Sequence, residues 1–195
     1  MERVRFHKPG IPTDTDTTMG AVISRAQRDK VLGYIDIAKS EGATLAYGGR
    51  QPQDPLLADG FFVEPTLFTG VDQTMRIANE EVFGPVLSVL RWKDEEEMFE
   101  QVNSVEYGLS AAIYTRDIND ALHAVDRIDA GIVYVNAPTI GAEIPLPFGG
   151  TKHTGNGFRE AGARGIEQFS QLKTVYVDYS GRLQRAQIDN REDLA

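Results

Sequence analysis

Two adjacent carboxylates, Glu80 and Glu81, stand in the stretch NEEVFGPV, with a ring at Phe83 and a Gly84-Pro85 turn directly after it. A carboxylate accepts two hydrogen bonds at once, which suits the paired hydroxyls of a vicinal diol such as a ribose. An aromatic ring fixed two residues away by a Gly-Pro turn suits a flat heterocycle. The same residues also fit a solvated turn leading into a strand, and from spacing alone both readings stand. The first gains from position, because loops at strand ends in α/β folds are where ligand sites collect.

The other chemistry-bearing patterns fail on spacing. Gly150 to Gly155 makes G-x-x-x-x-G, but Asn156 and Gly157 follow where a phosphate loop needs Lys and then Ser or Thr. The stretch Gly155 to Glu160 lacks the third glycine of G-x-G-x-x-G. His7, His123 and His153 have no metal-ligand spacing, and no metal site is expected. His123 reads as a surface residue of a helix, whereas His153 lies in a loop where it can meet a ligand. There is no G-x-S-x-G elbow. The sequence has no cysteine, hence no disulfide, no Cys-ligated metal and no thiolate nucleophile, and no catalytic residue is assigned on this chain.

The elements that must position these residues can be read from pattern. With 195 residues, 41% apolar and 25% charged, the chain has the composition of a soluble globular domain. Its net charge of −9 comes without a basic stripe, which excludes nucleic acid as a partner. No stretch approaches the ~20 apolar residues of a membrane span. MERVRFHKPG lacks the apolar middle of a secretory signal, so a cytoplasmic protein without a membrane partner is expected.

A strand is predicted over 3–7 and a helix over 22–40, with Val31, Leu32, Ile35 and Ala38 facing inward and Gly42 as its stop. ATLAYGG reads as a strand. FFVEPTLFTGV reads as extended and demoted to an edge by Pro65, and PVLSVLRW as a buried strand. Asp94 starts a helix, with Glu97 placed as in a capping box. LSAAIYT is a strand, and Asp117 caps a helix with Ala121, Leu122, Val125 and Ile128 inward. GIVYVN is a strand again. The alternation predicts a parallel sheet covered by helices. A long Gly- and Pro-rich segment, APTIGAEIPLPFGGTKHTGNG, comes next, then a helix around 159–170, a strand KTVYVDY and a polar tail.

In this order, EEVFGPV, YGLSAAIYT, GIVYVN, LPFGG and KTVYV resemble the aldehyde dehydrogenase superfamily, nearly the whole chain being covered. The resemblance implies an α/β fold, the parallel-sheet three-layer sandwich of that family's catalytic domain, truncated at its N-terminal side. Residues 1–172 would be the C-terminal part of the catalytic domain, and 173–195 a terminal oligomerisation strand and tail. Glu81 is implied as the carboxylate on the nicotinamide ribose of NAD or NADP, Phe83 as the ring beside the nicotinamide, and Glu80 as structural. Phe148 would line the aldehyde tunnel. Gly141 and Ala142 match the backbone pair that binds a substrate carboxylate in the branch acting on semialdehydes, such as aminoadipate semialdehyde. The family's nucleophilic cysteine, base glutamate, oxyanion asparagine and adenosine-side contacts all lie upstream of the residues matched here.

The function implied by this resemblance is that of a part of an enzyme oxidising an aldehyde to a carboxylic acid, inactive alone for want of a thiol. A non-catalytic scaffold, or one half of a split enzyme joined by a separate N-terminal cofactor-domain chain, is the alternative. A homo-oligomer is expected in either case, because a strand such as TVYVDY without its pairing hairpin is an open edge.

Overall fold

The computed structural model describes residues 2–181. Helix α1 (Glu2–Phe6) occupies the place of the predicted first strand. Its Glu and Arg residues favour helix, and no named strand lies alongside to supply a ladder. Helix α2 (Arg25–Ser40) starts at Ser24, whose hydroxyl accepts from the Gln27 N–H at 3.1 Å. It stops in a Schellman motif, with Gly42 at φ 100° and the N–H groups of Gly42 and Ala43 donating to the carbonyls of Lys39 and Ala38.

α2 buries Val31, Ile35 and Ala38 against Val63, Phe68, Val71, Ile77 and Val82, which together form the main core. The sheet under it has the order β1 (Thr44–Tyr47), β2 (Thr66–Thr69), β3 (Val86–Ser88), with α3 (Arg76–Asn79) between the last two in sequence. β2 runs antiparallel to β1 and parallel to β3. The strand after Pro65 is therefore central, not an edge. Pro65 precedes the first ladder residue, so its missing N–H costs no ladder bond, and Thr66 donates to the Pro85 carbonyl at 2.8 Å. PVLSVLRW is not a buried strand either. β3 is a three-residue edge, and Leu87, Val89 and Trp92 are exposed because only β2 pairs with it among the described residues.

In the second half, β5 (Ser110–Ile113) pairs in parallel with β6 (Ile132–Val135). Helices α4 (Glu95–Asn103) and α5 (Ile118–Arg127) cover them, with Phe99, Ala124 and Ile128 packed on Ala111, Ile113 and Val133. Asp94 and Asp117 both cap as predicted, accepting from the N–H groups of Glu97 at 2.9 Å and Asn119 at 2.7 Å. Glu97 reaches back to the Lys93 N–H, one residue before the cap. On α5 the inward row is Ala121, Ala124 and Ile128, while Leu122 and Val125, predicted inward, are exposed. They lie round the cylinder from the alanine row on which the helix seats.

Short β4 (Tyr107–Gly108) and β7 (Thr151–Lys152) pair antiparallel, and α6 (Gly162–Glu167) is shorter than the helix predicted over 159–170. The fold is thus mixed α/β with parallel segments, but among the described residues no ladder joins β3 to β5, so the single predicted sheet is divided. KTVYVDY forms no strand. Val175, Tyr176, Val177 and Tyr179 stand exposed, with no partner strand among the described residues. The tail beyond 181 lies outside the described residues. No described helix is long and apolar enough to cross a membrane.

Candidate functional site

The loop carrying Glu80 to Phe83 is held by one face of α2. Residues 27, 30 and 34 fall on that face at helical spacing. The Tyr34 hydroxyl donates to Glu80 Oε2 at 2.6 Å, and Lys30 Nζ donates to the Glu81 carbonyl at 3.1 Å. Gln27 Nε2 donates to the carbonyls of Val82 at 3.2 Å and Phe83 at 2.9 Å. Consecutive loop residues are therefore met in reverse order along the helix. Gly84 completes the contact, since a Cβ there would lie 2.4 Å from Val31 Cγ2.

The two acids part company. Glu80 makes a forked pair with Arg76, at 2.7 Å to Nε and 2.8 Å to Nη2, besides its bond from Tyr34. The Arg76 guanidinium, then the Tyr34 hydroxyl, hold its carboxyl down at about 2. The same bond to Glu80 raises the Tyr34 phenol. Glu80 is thus a structural tie, as predicted from the family resemblance. The Glu81 side chain is exposed, and among the described residues no hydrogen bond or ion pair reaches its carboxylate. Phe83 takes φ 55° and leaves its ring 71% exposed.

On the other side of the predicted site, Phe148 lines a cavity of about 490 Å³ with Leu109, His153, Asn156, Phe158 and Glu160. Its backbone exchanges two hydrogen bonds with Glu160, at 2.6 and 2.8 Å. Gly141 and Ala142 are exposed and do not line that cavity. Gly141 has φ 89°, and its carbonyl accepts from the Tyr134 hydroxyl at 3.1 Å. Glu81 and Phe83 do not line it either. A second cavity, about 470 Å³, lies beside the Glu81 loop, between Gly84 to Leu87 and Arg3 and His7.

The residues that sequence reasoning missed are the anchors. Gln27, Lys30 and Tyr34 showed only as polar positions on an amphipathic helix, and their partners lie about fifty positions on. Lys152 was missed too. It takes φ 50°, its Nζ donates to the carbonyls of Asn103 and Val105 at 2.7 and 3.0 Å, and it fastens β7 to the end of α4. His153 lines the larger cavity and lies 3.4 Å from Glu106, while His123 pairs with Glu95 on the surface. Among the described residues no three metal-binding side chains come together.

Comparison with known proteins gives these residues a context. The model of the aldehyde dehydrogenase family matches residues 1–175. Betaine aldehyde dehydrogenases from Brucella melitensis and Mesorhizobium japonicum are 47% and 45% identical over 178 residues, 91% of this chain and 36% of theirs. A betaine aldehyde dehydrogenase from Staphylococcus aureus, solved in complex with NAD+, superposes with a TM-score of 0.82 at 41% identity, covering 86% of this chain and 33% of that one. An aldehyde dehydrogenase from Mycobacterium tuberculosis, complexed with NAD+, gives 0.86 at 36% identity over 93% of this chain and 37% of that one. The chain spans about a third of the length of the curated relatives it matches.

These curated relatives are, by name, betaine aldehyde dehydrogenases, and they lend no support to the semialdehyde branch that the sequence resembles. The family match runs over residues 1–175, so most of the stretch predicted as oligomerisation strand and tail falls outside it.

Proposed function

This chain belongs to the aldehyde dehydrogenase family, and on that premise we propose that it supplies the nicotinamide-facing carboxylate and part of the aldehyde-facing wall of an NAD+-dependent enzyme. The observation that carries the reading is the contrast between neighbours. Glu80 is saturated by Arg76 and Tyr34, while Glu81 is exposed and unpaired among the described residues, on a backbone fixed by α2. A diol needs two available acceptors on a fixed backbone, and Glu81 offers both. NAD+, which the solved relatives bind, supplies a hydride acceptor.

In this reading Glu81 accepts from the ribose hydroxyls and Phe83 sets a face beside the nicotinamide. Phe148 walls the aldehyde side and keeps water out, while Gly141 and Ala142, exposed and outside that cavity, offer backbone N–H groups to the far end of a substrate. For substrate we propose an aldehyde bearing a quaternary ammonium group. The names of the relatives support it, and so does a cavity lined by Phe148, Phe158 and Glu160, since aromatic faces and a carboxylate suit such a cation. The sequence holds no cysteine, so thiolate attack on the aldehyde needs residues outside these 195. Residues 1–172 form the site-bearing unit of this proposal, and 173–195 an assembly segment. The exposed Val175, Tyr176 and Val177 support self-association through 174–179. Light scattering checks this, and Val175→Lys should lower the measured mass.

The cofactor reading is tested by saturation-transfer NMR of NAD+ against the chain. Wild type should transfer saturation to the nicotinamide and its ribose. Glu81→Gln should weaken binding by about 10- to 100-fold, the loss of charge-assisted hydrogen bonds worth ~1.5–3 kcal/mol, and Glu80→Gln by much less. Equal losses from the two substitutions would refute the assignment.

A further inference from the structure

We propose that Gln27 is a positioning residue for the cofactor-facing loop: its side-chain amide selects the left-handed backbone of Phe83 and so aims the ring. The inference rests on the reading of Glu81 and Phe83 given above, but its geometry stands independently. In an extended chain successive carbonyls point to opposite sides. Here the carbonyls of Val82 and Phe83 converge on one nitrogen, Gln27 Nε2, at 3.2 and 2.9 Å. That convergence requires the intervening residue to leave the extended region, and Phe83 does so at φ 55°. A residue with a large side chain reaches that region only under constraint.

No other side chain of α2 hydrogen-bonds the backbone of Val82 or Phe83 among the described residues. Lys30 binds the Glu81 carbonyl and Tyr34 the Glu80 carboxylate, and neither is bonded to Val82 or Phe83. Val82 is buried in the core, which pins one end, and Gly84 against Val31 pins the other. Between these pins the direction of the Phe83 ring depends on which way two peptide units turn. The Gln27 amide has two N–H donors and meets both carbonyls, so it favours the turned form over the extended one. The side chain of Gln27 is itself ordered by position, since it sits in the first turn of α2, where its own N–H is capped by Ser24.

The experiment compares hydrogen exchange across the chain in wild type, Gln27→Glu and Gln27→Met, two near-isosteres without the amide donors. The amides of Val82, Phe83, Gly84 and Val86 should exchange about tenfold faster in both variants, with rates in α2 and β1 unchanged. Saturation transfer from the chain to the nicotinamide protons of NAD+ should fall several-fold. Gln27→Lys, which restores a donor, should recover part of both. Unchanged exchange at Val82, Phe83, Gly84 and Val86, or a rise spread evenly through α2 and β1, would overturn the proposal. If wild type itself transfers no saturation to NAD+, the cofactor reading fails, and the exchange data still decide the role of Gln27.

Discussion

Two loops carry the residues read as binding groups, and they are held in opposite ways. From 80 to 84, three side chains of α2, one ion pair and one glycine contact fix the chain nearly residue by residue. From 137 to 147 the chain is largely exposed, and among the described residues its hydrogen bonds to the rest of the fold are the Tyr134 hydroxyl on the Gly141 carbonyl and the Gly162 N–H on the Ile144 carbonyl, with one more inside the loop from the Leu146 N–H to the Glu143 carbonyl. The contrast matches two tasks. A cofactor reused at every turnover gains from a preorganised acceptor, while a substrate must enter and leave past a rim that can yield.

The difference between the loops should break most visibly at their glycines. Gly84→Ala places a methyl group 2.4 Å from Val31, which is fully buried and stiff at χ1 and so has no room to give. It should cost about 1–3 kcal/mol, as overpacking does, and loosen the Glu81 loop. Gly141→Ala meets nothing within 4 Å, and only its φ of 89° resists. That substitution should cost nearer 1 kcal/mol. Urea denaturation of the two variants measures both, and a Gly141→Ala penalty matching that of Gly84→Ala would erase the distinction between the loops.

A smaller effect sharpens it. The folded-state carboxyl of Glu80 lies at about 2, below the ordinary 4.5, so its tie to the loop stabilises above pH 4.5 and is lost as pH falls toward 2. The Glu80 side chain is 40% exposed, so salt should blunt the effect. The melting temperature of wild type should fall as pH drops through that window, and that of Glu80→Gln should fall less. Parallel declines would mean that the tie does not fasten the loop.

Much of the scaffold was legible because its signals are local. The Ser24 to Gly42 helix, the Asp94 and Asp117 caps and the β5 and β6 strands all announce themselves within a few residues. Signals that depend on a partner were not. The strand predicted at 3–7 became a helix, and KTVYVDY pairs with no strand among the described residues, since β-propensity expresses itself only beside another strand. The unequal fates of Glu80 and Glu81 were anticipated from family resemblance. Their cause, Tyr34 and Arg76 closing on one and not the other, is a tertiary fact that no window of sequence contains.

The backbone of Phe83 carries a consequence for how this position can change over generations. Glycine adopts φ near 55° without a Cβ clash, and asparagine tolerates it better than a large aromatic does. Selection for thermal robustness alone would therefore move position 83 away from phenylalanine, and selection for a ring at that spot would move it back. Stability and recognition pull on one codon in opposite directions there.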